Sequence, residues 1–472
     1  MASSTLAPAW LHVPSNLNAL DSRLWPQSTH RHDHGEVSLG GVSVSQLLEQ
    51  FGSPIYVVDL DTLRQRAQMV RDTLSGAIAL GNRSVHVYYA TKSLLTSDVV
   101  RVLADEGLGF DASTMGELEW VLSSGVDPSR IEFQGNNKSL AEIRRALELG
   151  VGAVVVDSEW EARRLAEVSA ELGRTQRVMI RVNSGVHAGT HEYLATARED
   201  QKFGIARSDL ASVVEIIAAA PRLELVGLHS HIGSQIVSPD GFIEAAHRLL
   251  AEYEKLQSEH PLDTLNLGGG FAIPYTPSDP DSNLDEIASA LAATLDEWAQ
   301  RGVAPSVISF EPGRIISGPA GVTLYTVGTT KQVVVGEGIE TDTRLYVSVD
   351  GGMSDNLRTS LYGAHYTVRL ANRSSDAAPA LVRLVGKHCE SGDIVVSDDY
   401  LPGDVTPGDV LMVAQTGAYC HSLSSNYNAV GRPAVVSLQG GEARVSLKAE
   451  TIEDVLSRDV GLAMGPGAPG RV

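Results

Sequence analysis

The rhythm of the chain constrains its fold more than any single motif. Between residues 85 and 311, short β-branched runs alternate with longer stretches patterned at helical spacing. The candidate strands are Val85–Ala90, Leu108–Asp111, Ile131–Gln134, Ala153–Asp157, Arg177–Val182, Leu225–His229, Thr264–Leu267 and Val307–Glu311. In one intervening helical pattern, Leu284, Ile287, Leu291, Leu295 and Trp298 share a face, while Asp285, Glu286, Asp296 and Glu297 cover the other. Ser113 or Thr114 ahead of Gly116-Glu117-Leu118 reads as a capped helix start. About eight strand–helix units in roughly 250 residues is the size of a (β/α)8 barrel. A doubly wound open sheet alternates in the same way and is the alternative.

The strand ends favour the barrel, because barrel enzymes carry their reactive groups at the C-terminal ends of the strands. Lys92, Asp111, Asn136, Asn137, Asp157, Arg181, Asn183, His229, His231, Gly268–Gly270, Glu311 and Arg314 each end or follow a candidate strand. After residue 320 the pattern changes to short strands: Val322–Thr326, Lys331–Val335, Arg344–Val349, Ala380–Gly386, Val410–Ala414, Ala434–Leu438 and Ala443–Leu447. Turns such as Pro407-Gly408-Asp409 separate them. This predicts an α/β chain: a barrel over 60–319 and a mostly antiparallel β domain over 320–456, which 21–59 completes. Residues 1–20 and the Gly- and Pro-rich 457–472 are expected to be disordered.

Composition bounds the partners. The 472 residues are 43% hydrophobic and 20% charged, so the bulk of the chain is globular. Acidic residues number 58 against 37 Lys and Arg, a formal charge of −21. That balance argues against nucleic acid or an anionic membrane as the main partner. The N-terminus lacks the basic and apolar regions of a secretory signal, and no apolar run is long enough to span a bilayer. Only Cys389 and Cys420 are cysteines, too few for a disulfide framework. A soluble, cytoplasmic protein is the expectation.

Four strand ends carry recognisable chemistry. Lys92, in Tyr88-Tyr89-Ala90-Thr91-Lys92-Ser93, sits at the barrel mouth, where partial burial would lower its pKa and make it a Schiff-base nucleophile. A solvated loop lysine is the bland reading. Asn266-Leu267-Gly268-Gly269-Gly270 lets backbone N–H groups approach a phosphate, or is only a flexible turn. Phe310-Glu311-Pro312-Gly313-Arg314 holds a carboxylate and a guanidinium on a rigid corner. The carboxylate suits a protonated pyridine nitrogen and the arginine an anion; a structural ion pair is the alternative. His229 and His231 share one strand face, and an imidazole there can stack on an aromatic ring. A zinc pair is disfavoured because no third ligand stands at suitable spacing. Together these point to pyridoxal 5'-phosphate.

With these motifs in view, the sequence resembles the pyridoxal-phosphate decarboxylases of the alanine-racemase-like fold, and among them the diaminopimelate decarboxylases. The likeness runs from about Val37 to Val455. It includes Tyr89–Lys92, Gly135–Ser139, Asp200–Gly204, His229–Gln235, Gly268–Gly270 and Glu311–Arg314. In the second domain it includes Val349–Asn356, Arg358 with Leu361-Tyr362-Gly363, Cys389–Asp393 and Gly417-Ala418-Tyr419. The second-domain group carries most of the substrate assignment.

The resemblance implies roles. Lys92 is the Schiff-base lysine and His231 the stacking ring. Gly268, Gly269 and Gly270 with Ser234 bind phosphate, helped by Tyr419, and Glu311 pairs with the pyridine nitrogen on the Pro312-Gly313-Arg314 corner. Arg314, Arg358, Tyr362, Glu390 and Tyr419 hold the substrate. Cys389 supplies a proton and comes from the partner subunit, so a homodimer with shared active sites is implied. The implied reaction is decarboxylation of meso-2,6-diaminopimelate to L-lysine, the last step of lysine biosynthesis. A second recognition site far from Lys92 is what selection of that substrate requires, with an arginine for the distal carboxylate and Glu390 for the distal ammonium. Decarboxylation of another basic amino acid or a carboxylated polyamine, and a non-catalytic pyridoxal-phosphate protein, are the alternatives. Where the family commonly has Ala and then an aromatic or Asn after the lysine, this chain has Ser93-Leu94. Leu94 is thereby a candidate for the pocket wall. His30-Arg31-His32-Asp33-His34 looks like a metal tract but is read as binding nothing specific, so no metal is expected. His187 and His191 are read as loop histidines, and Cys420 as a small buried thiol.

Overall fold

A computed structural model of the chain describes residues 4–79, 83–186, 201–337 and 340–462. His187, His191, Asp200 and the tail beyond residue 462 lie outside the described residues. The chain divides into two compact units: Leu63–Ile273 with Pro280–Ser317, and Met1–Thr62 with Pro274–Asp279 and Gly318–Val472.

The first unit is a closed barrel of eight parallel strands. They are β1 (Ser84–Ala90), β2 (Gly109–Ala112), β3 (Ile131–Phe133), β4 (Ala153–Val156), β5 (Gln176–Arg181), β6 (Leu223–His229), β7 (Thr264–Asn266) and β8 (Val307–Phe310). Sequential strands are neighbours, and β8 closes on β1 through Val307–Phe310 beside Ser84–Val87. Parallel strands covered on both faces are apolar throughout rather than alternating. Ala153–Val156, buried at every position, shows this. The barrel thus replaces the open-sheet alternative.

The loops that follow the strands end where the next helix is capped. Thr96, Thr114, Ser139 and Ser158 each accept a backbone N–H three residues on, opening Ser97–Asp105, Met115–Ser123, Leu140–Leu149 and Glu159–Leu172. Ser139 and Glu142 form a reciprocal capping box. These caps fix the length of the loops that carry Lys92, Ser113, Asn136 and Asp157. The helix Leu284–Gln300 buries the Leu284, Ile287, Leu291, Leu295, Trp298 face that its periodicity marks.

The second unit is built on a nine-stranded, mostly antiparallel sheet. Its order is Ile394–Pro402, Pro379–Val385, Glu340–Val349, Gly321–Glu337, Ile55–Asp59, Ala434–Gln439, Glu442–Leu447. Val410–Val413 pairs with Gly321–Glu337 and with Val368–Leu370. Ile55–Asp59 lies mid-sheet, antiparallel to Gly321–Leu324 and parallel to Ala434–Leu438. Three expectations change here. Val322–Thr326 and Lys331–Val335 are one 17-residue strand that bulges near Gly328 rather than turning. Pro274–Asp279 leaves the barrel and joins this unit. Residues 4–20 are not loose: Leu11 and Leu17 are buried with Leu381 and Tyr400, and Ser4 and Thr5 bond Asp342. Leu6, Trp10 and Val13 pack there too, so this segment gains enough apolar burial to offset its ordering. His30–Arg31 pairs with Val37–Leu39 in a small three-stranded sheet, and Arg31 donates to four backbone carbonyls.

One buried ion pair fixes the loop after β3. Lys138 Nζ lies 2.6 Å from Glu161 and 2.7 Å from both the Gly135 and Val155 carbonyls. Removing one partner leaves the other charge buried and alone. Glu161→Ala is expected to lower unfolding free energy by about 3–5 kcal/mol in denaturant titrations, whereas Lys138→Met with Glu161→Leu loses much less. A small loss in the single variant contradicts this role.

Candidate active site

The site grows from the C-terminal ends of the barrel strands. Lys92, Asp111, Gln134, Asn136, Asn137, Arg181, His231 and Glu311 surround a cavity of about 400 Å³. Lys92 is exposed at its mouth. Its charge acts on Asp111, His231 and Glu311.

Glu311, 7% exposed, is the most heavily bonded group. Gln134 Nε2 donates to Oε1 at 2.6 Å, Asn266 Nδ2 donates to Oε1 at 2.8 Å, and His229 Nε2 lies 3.1 Å from Oε2. Burial alone would raise this carboxyl. His229 in contact, then His231 and Lys92, outweigh it and hold it at about 2. It is therefore a fixed negative charge at the cavity wall. His231 is pushed the other way: burial, Lys92 and Arg181 hold it well below the ordinary imidazole range. Its ring is neutral at pH 7, and Nδ1 accepts the Gly269 N–H at 3.1 Å.

The glycines are required sterically. A Cβ on Gly269 would overlap the Glu311 carbonyl oxygen, and one on Gly270, at φ +103°, would overlap the Gly233 carbonyl. The three loops bearing His231, Gly269 and Glu311 touch through backbone. The Gly268 and Gly269 N–H groups are bonded to Asn266 Oδ1 and His231 Nδ1, so the expected cup of free N–H donors is not what these two provide. Nearby, Arg314 Nη2 donates to Ser234 Oγ at 2.8 Å. Ser93 is buried, bonded to Ser317 Oγ at 2.6 Å, and packs under Gly313. Leu94 is 3% exposed and is not part of the cavity lining, which corrects its expected place in the wall.

The second unit carries the other predicted residues. Arg358, 3% exposed, lies against the Tyr275 and Tyr366 rings, with Nη1 donating to both hydroxyls, to Tyr275 at 2.9 Å. The tyrosines grip one edge of the guanidinium and leave the Nε–Nη2 edge to other acceptors. Tyr362 ends the same short helix, Arg358–Tyr362, and is half-buried, as is Tyr419 at φ +63°. Cys389 and Glu390 are exposed on a tight loop. Asp393 anchors that loop, accepting the His388 N–H at 2.7 Å and the Met353 N–H at 2.6 Å. His388 is buried between Ser354 and Asn428.

Comparison with known proteins decides the family. Residues 60–318 match the pyridoxal binding domain of the pyridoxal-dependent decarboxylases. A diaminopimelate decarboxylase of Mycobacterium tuberculosis is 47% identical over 450 residues, 93% of this chain and 98% of the relative. One of Bacillus subtilis is 38% identical over 443 residues, 93% of this chain and 98% of its own length. The chain belongs to the diaminopimelate decarboxylases. Among solved structures, the diaminopimelate decarboxylase from M. jannaschii in co-complex with L-lysine superposes with a TM-score of 0.81 at 28% identity, covering 92% of this chain and 98% of that one. A lysine/ornithine decarboxylase from Vibrio vulnificus complexed with putrescine gives 0.68 at 26% identity, covering 84% and 97%.

As in the pyridoxal-dependent decarboxylases, the cofactor is pyridoxal phosphate, and the residues present fit it. Lys92, neutral His231 and anionic Glu311 line one cavity, and the glycine corner beside them has no room for a Cβ. Sequence reasoning gives no role to Glu132, Gln134 or Asn266, which nevertheless place Glu311. The available signal was a single charge in the apolar run Ile131-Glu132-Phe133. Elsewhere, no group of three or more His, Cys, Asp or Glu able to hold a metal occurs among the described residues. His30, His32 and His34 pack ring to ring, with His32 Nε2 3.0 Å from Ser38 Oγ and His34 Nε2 3.6 Å from Glu36.

Asp111 gives the site a pH signature. Burial first, then the Glu311 charge, push its carboxyl up to about 8. A carboxyl raised by folding stabilises the fold in its protonated form, so its contribution is full below about pH 4 and is lost as pH rises through about 8. Asp111→Asn should melt with the parent at about pH 4 and increasingly above it toward about pH 8, measured on cofactor-free protein. A gap independent of pH contradicts the assignment.

Proposed function

We propose that the chain decarboxylates meso-2,6-diaminopimelate to L-lysine and carbon dioxide, the last step of lysine biosynthesis. The observation that carries this is the convergence of Lys92, His231 and Glu311 on one cavity in a chain that aligns over 98% of a diaminopimelate decarboxylase. When bound, pyridoxal phosphate supplies the electron sink for the pair left behind by carbon dioxide.

The chain's own residues do the rest. Lys92 holds the cofactor covalently, and Glu311 keeps its pyridine nitrogen protonated. A neutral His231 stacks without adding charge. Ser234, Arg314 and Tyr419 bind the phosphate with the Gly270 and Glu311–Arg314 backbones, while the bonded Gly268 and Gly269 shape that corner. Arg314, Arg358, Tyr362, Glu390 and Tyr419 bind substrate. The free guanidinium edge of Arg358 suits a carboxylate, and exposed Glu390 suits a distal ammonium. Cys389 returns one proton to the carbon that lost carbon dioxide.

The exposure of Cys389 and Glu390 on their own chain supports their donation to a partner's site, and hence a homodimer with shared active sites. A cytoplasmic location goes with this reading: neither Cys389 nor Cys420 forms a disulfide. No helix among the described residues is long and apolar enough to cross a membrane.

The assay offers meso-diaminopimelate, L,L-diaminopimelate, ornithine, arginine and lysine to the cofactor-loaded protein. Lysine from the meso isomer alone, abolished by Lys92→Ala, is expected. Turnover of ornithine or lysine instead contradicts the substrate. Mixing inactive Lys92→Ala with inactive Cys389→Ala, and allowing subunits to exchange, should restore about a quarter of wild-type activity, because half of the dimers then hold one intact site. No recovery despite exchange contradicts the shared site.

A further inference from the structure

Glu132 is a buried carboxyl that the reaction above does not use. It is 2% exposed in β3, between buried Ile131 and Phe133. A lone ionised carboxylate is not stable in such surroundings, so its partners define its role. Its hydrogen-bond partner is Asn266 from β7, whose Nδ2 lies 2.8 Å from Glu132 Oε2.

The Asn266 amide is the junction. The same Nδ2 donates to Glu311 Oε1 at 2.8 Å, and Oδ1 accepts the Gly268 N–H at 2.9 Å. A flipped amide would set its oxygen against the Glu311 carboxylate and its NH2 against the Gly268 donor, losing both of those bonds. Glu132 thus helps to hold one orientation of the group that ties Glu311 to the glycine loop. The titratable groups facing Glu132 are Tyr88 from β1, Asp111 from β2 and Glu311 after β8. Glu311 has an imidazole and two amides to support its charge, whereas Glu132 shares one of those amides. Burial, then the Glu311 charge, keep the Glu132 carboxyl well above the ordinary range, so it acts as a neutral acid.

We propose that Glu132 is a positioning residue: it anchors the Asn266 amide and, through it, sets both the Glu311 carboxylate and the Gly268–Gly270 loop for pyridoxal phosphate. This rests on the cofactor reading above. It is tested by cofactor affinity and by the pH titration of the bound cofactor's visible absorbance. Wild-type protein is measured first, and absence of a Lys92-dependent visible band would sink the cofactor reading itself.

Given that band, Glu132→Met keeps the volume and removes the bond to Asn266. It is expected to weaken cofactor binding about tenfold and to shift the absorbance titration, the scale of one lost buried hydrogen bond. Glu132→Gln, which offers Asn266 the same oxygen without an ionisable proton, is expected to restore both. A merely structural role lowers the melting temperature without moving the titration. Unchanged affinity and titration in Glu132→Met overturn the proposal. So does a Glu132→Gln protein as impaired as Glu132→Met, because charge would then be what matters. If Glu132→Met does not fold, Asn266→Ala replaces it as the broken link, with the same two outcomes.

Discussion

The negative charge on Glu311 is the constraint around which the barrel mouth is arranged. Burial opposes it, and His229, Gln134 and Asn266, from the ends of three other strands, hold it in place. A water-exposed carboxylate would keep its charge without help but would not keep its position. A buried one without these partners would take up a proton. The parallel barrel supplies both charge and position by bringing strand ends that are distant in sequence around one point.

The same requirement explains the glycines. His231, Gly269 and Glu311 lie on adjoining loops that approach through backbone, and a side chain at Gly269 would drive Glu311 away. The loop therefore orients the His231 imidazole and the Glu311 carboxylate together, and two of its N–H groups bond Asn266 and His231. Each perturbed group follows from its place in this arrangement. Glu311 is lowered by His229 in contact and by Lys92, His231 is lowered by burial beside Lys92 and Arg181, and Asp111 is raised by burial near a fixed anion.

How much of this was legible in the sequence depended on whether the interaction is local. All eight barrel strands were readable because parallel strands buried on both faces leave uninterrupted β-branched runs. Lys92, His231 and Glu311 were readable because each closes such a run. The supports of Glu311 were not, since Gln134 lies 177 residues away and Asn266 lies 45 away, and no periodicity links them. Gly268–Gly270 read as a phosphate cup because glycine's freedom is visible in sequence, whereas the prior claim of His231 on the Gly269 N–H spans 38 residues. Residues 4–20 read as loose because their few apolar residues form no regular pattern; Leu11 and Leu17 find their partners at Leu381 and Tyr400, far along the chain.

The central claim, that Glu311 is a carboxylate held charged within the barrel, is tested most directly by infrared difference spectroscopy of the folded protein against Glu311→Gln. The account predicts that the difference at neutral pH contains carboxylate stretching bands and no protonated carboxyl band, and that this persists into mild acid. A protonated carboxyl band at neutral pH that vanishes in Glu311→Gln would contradict it.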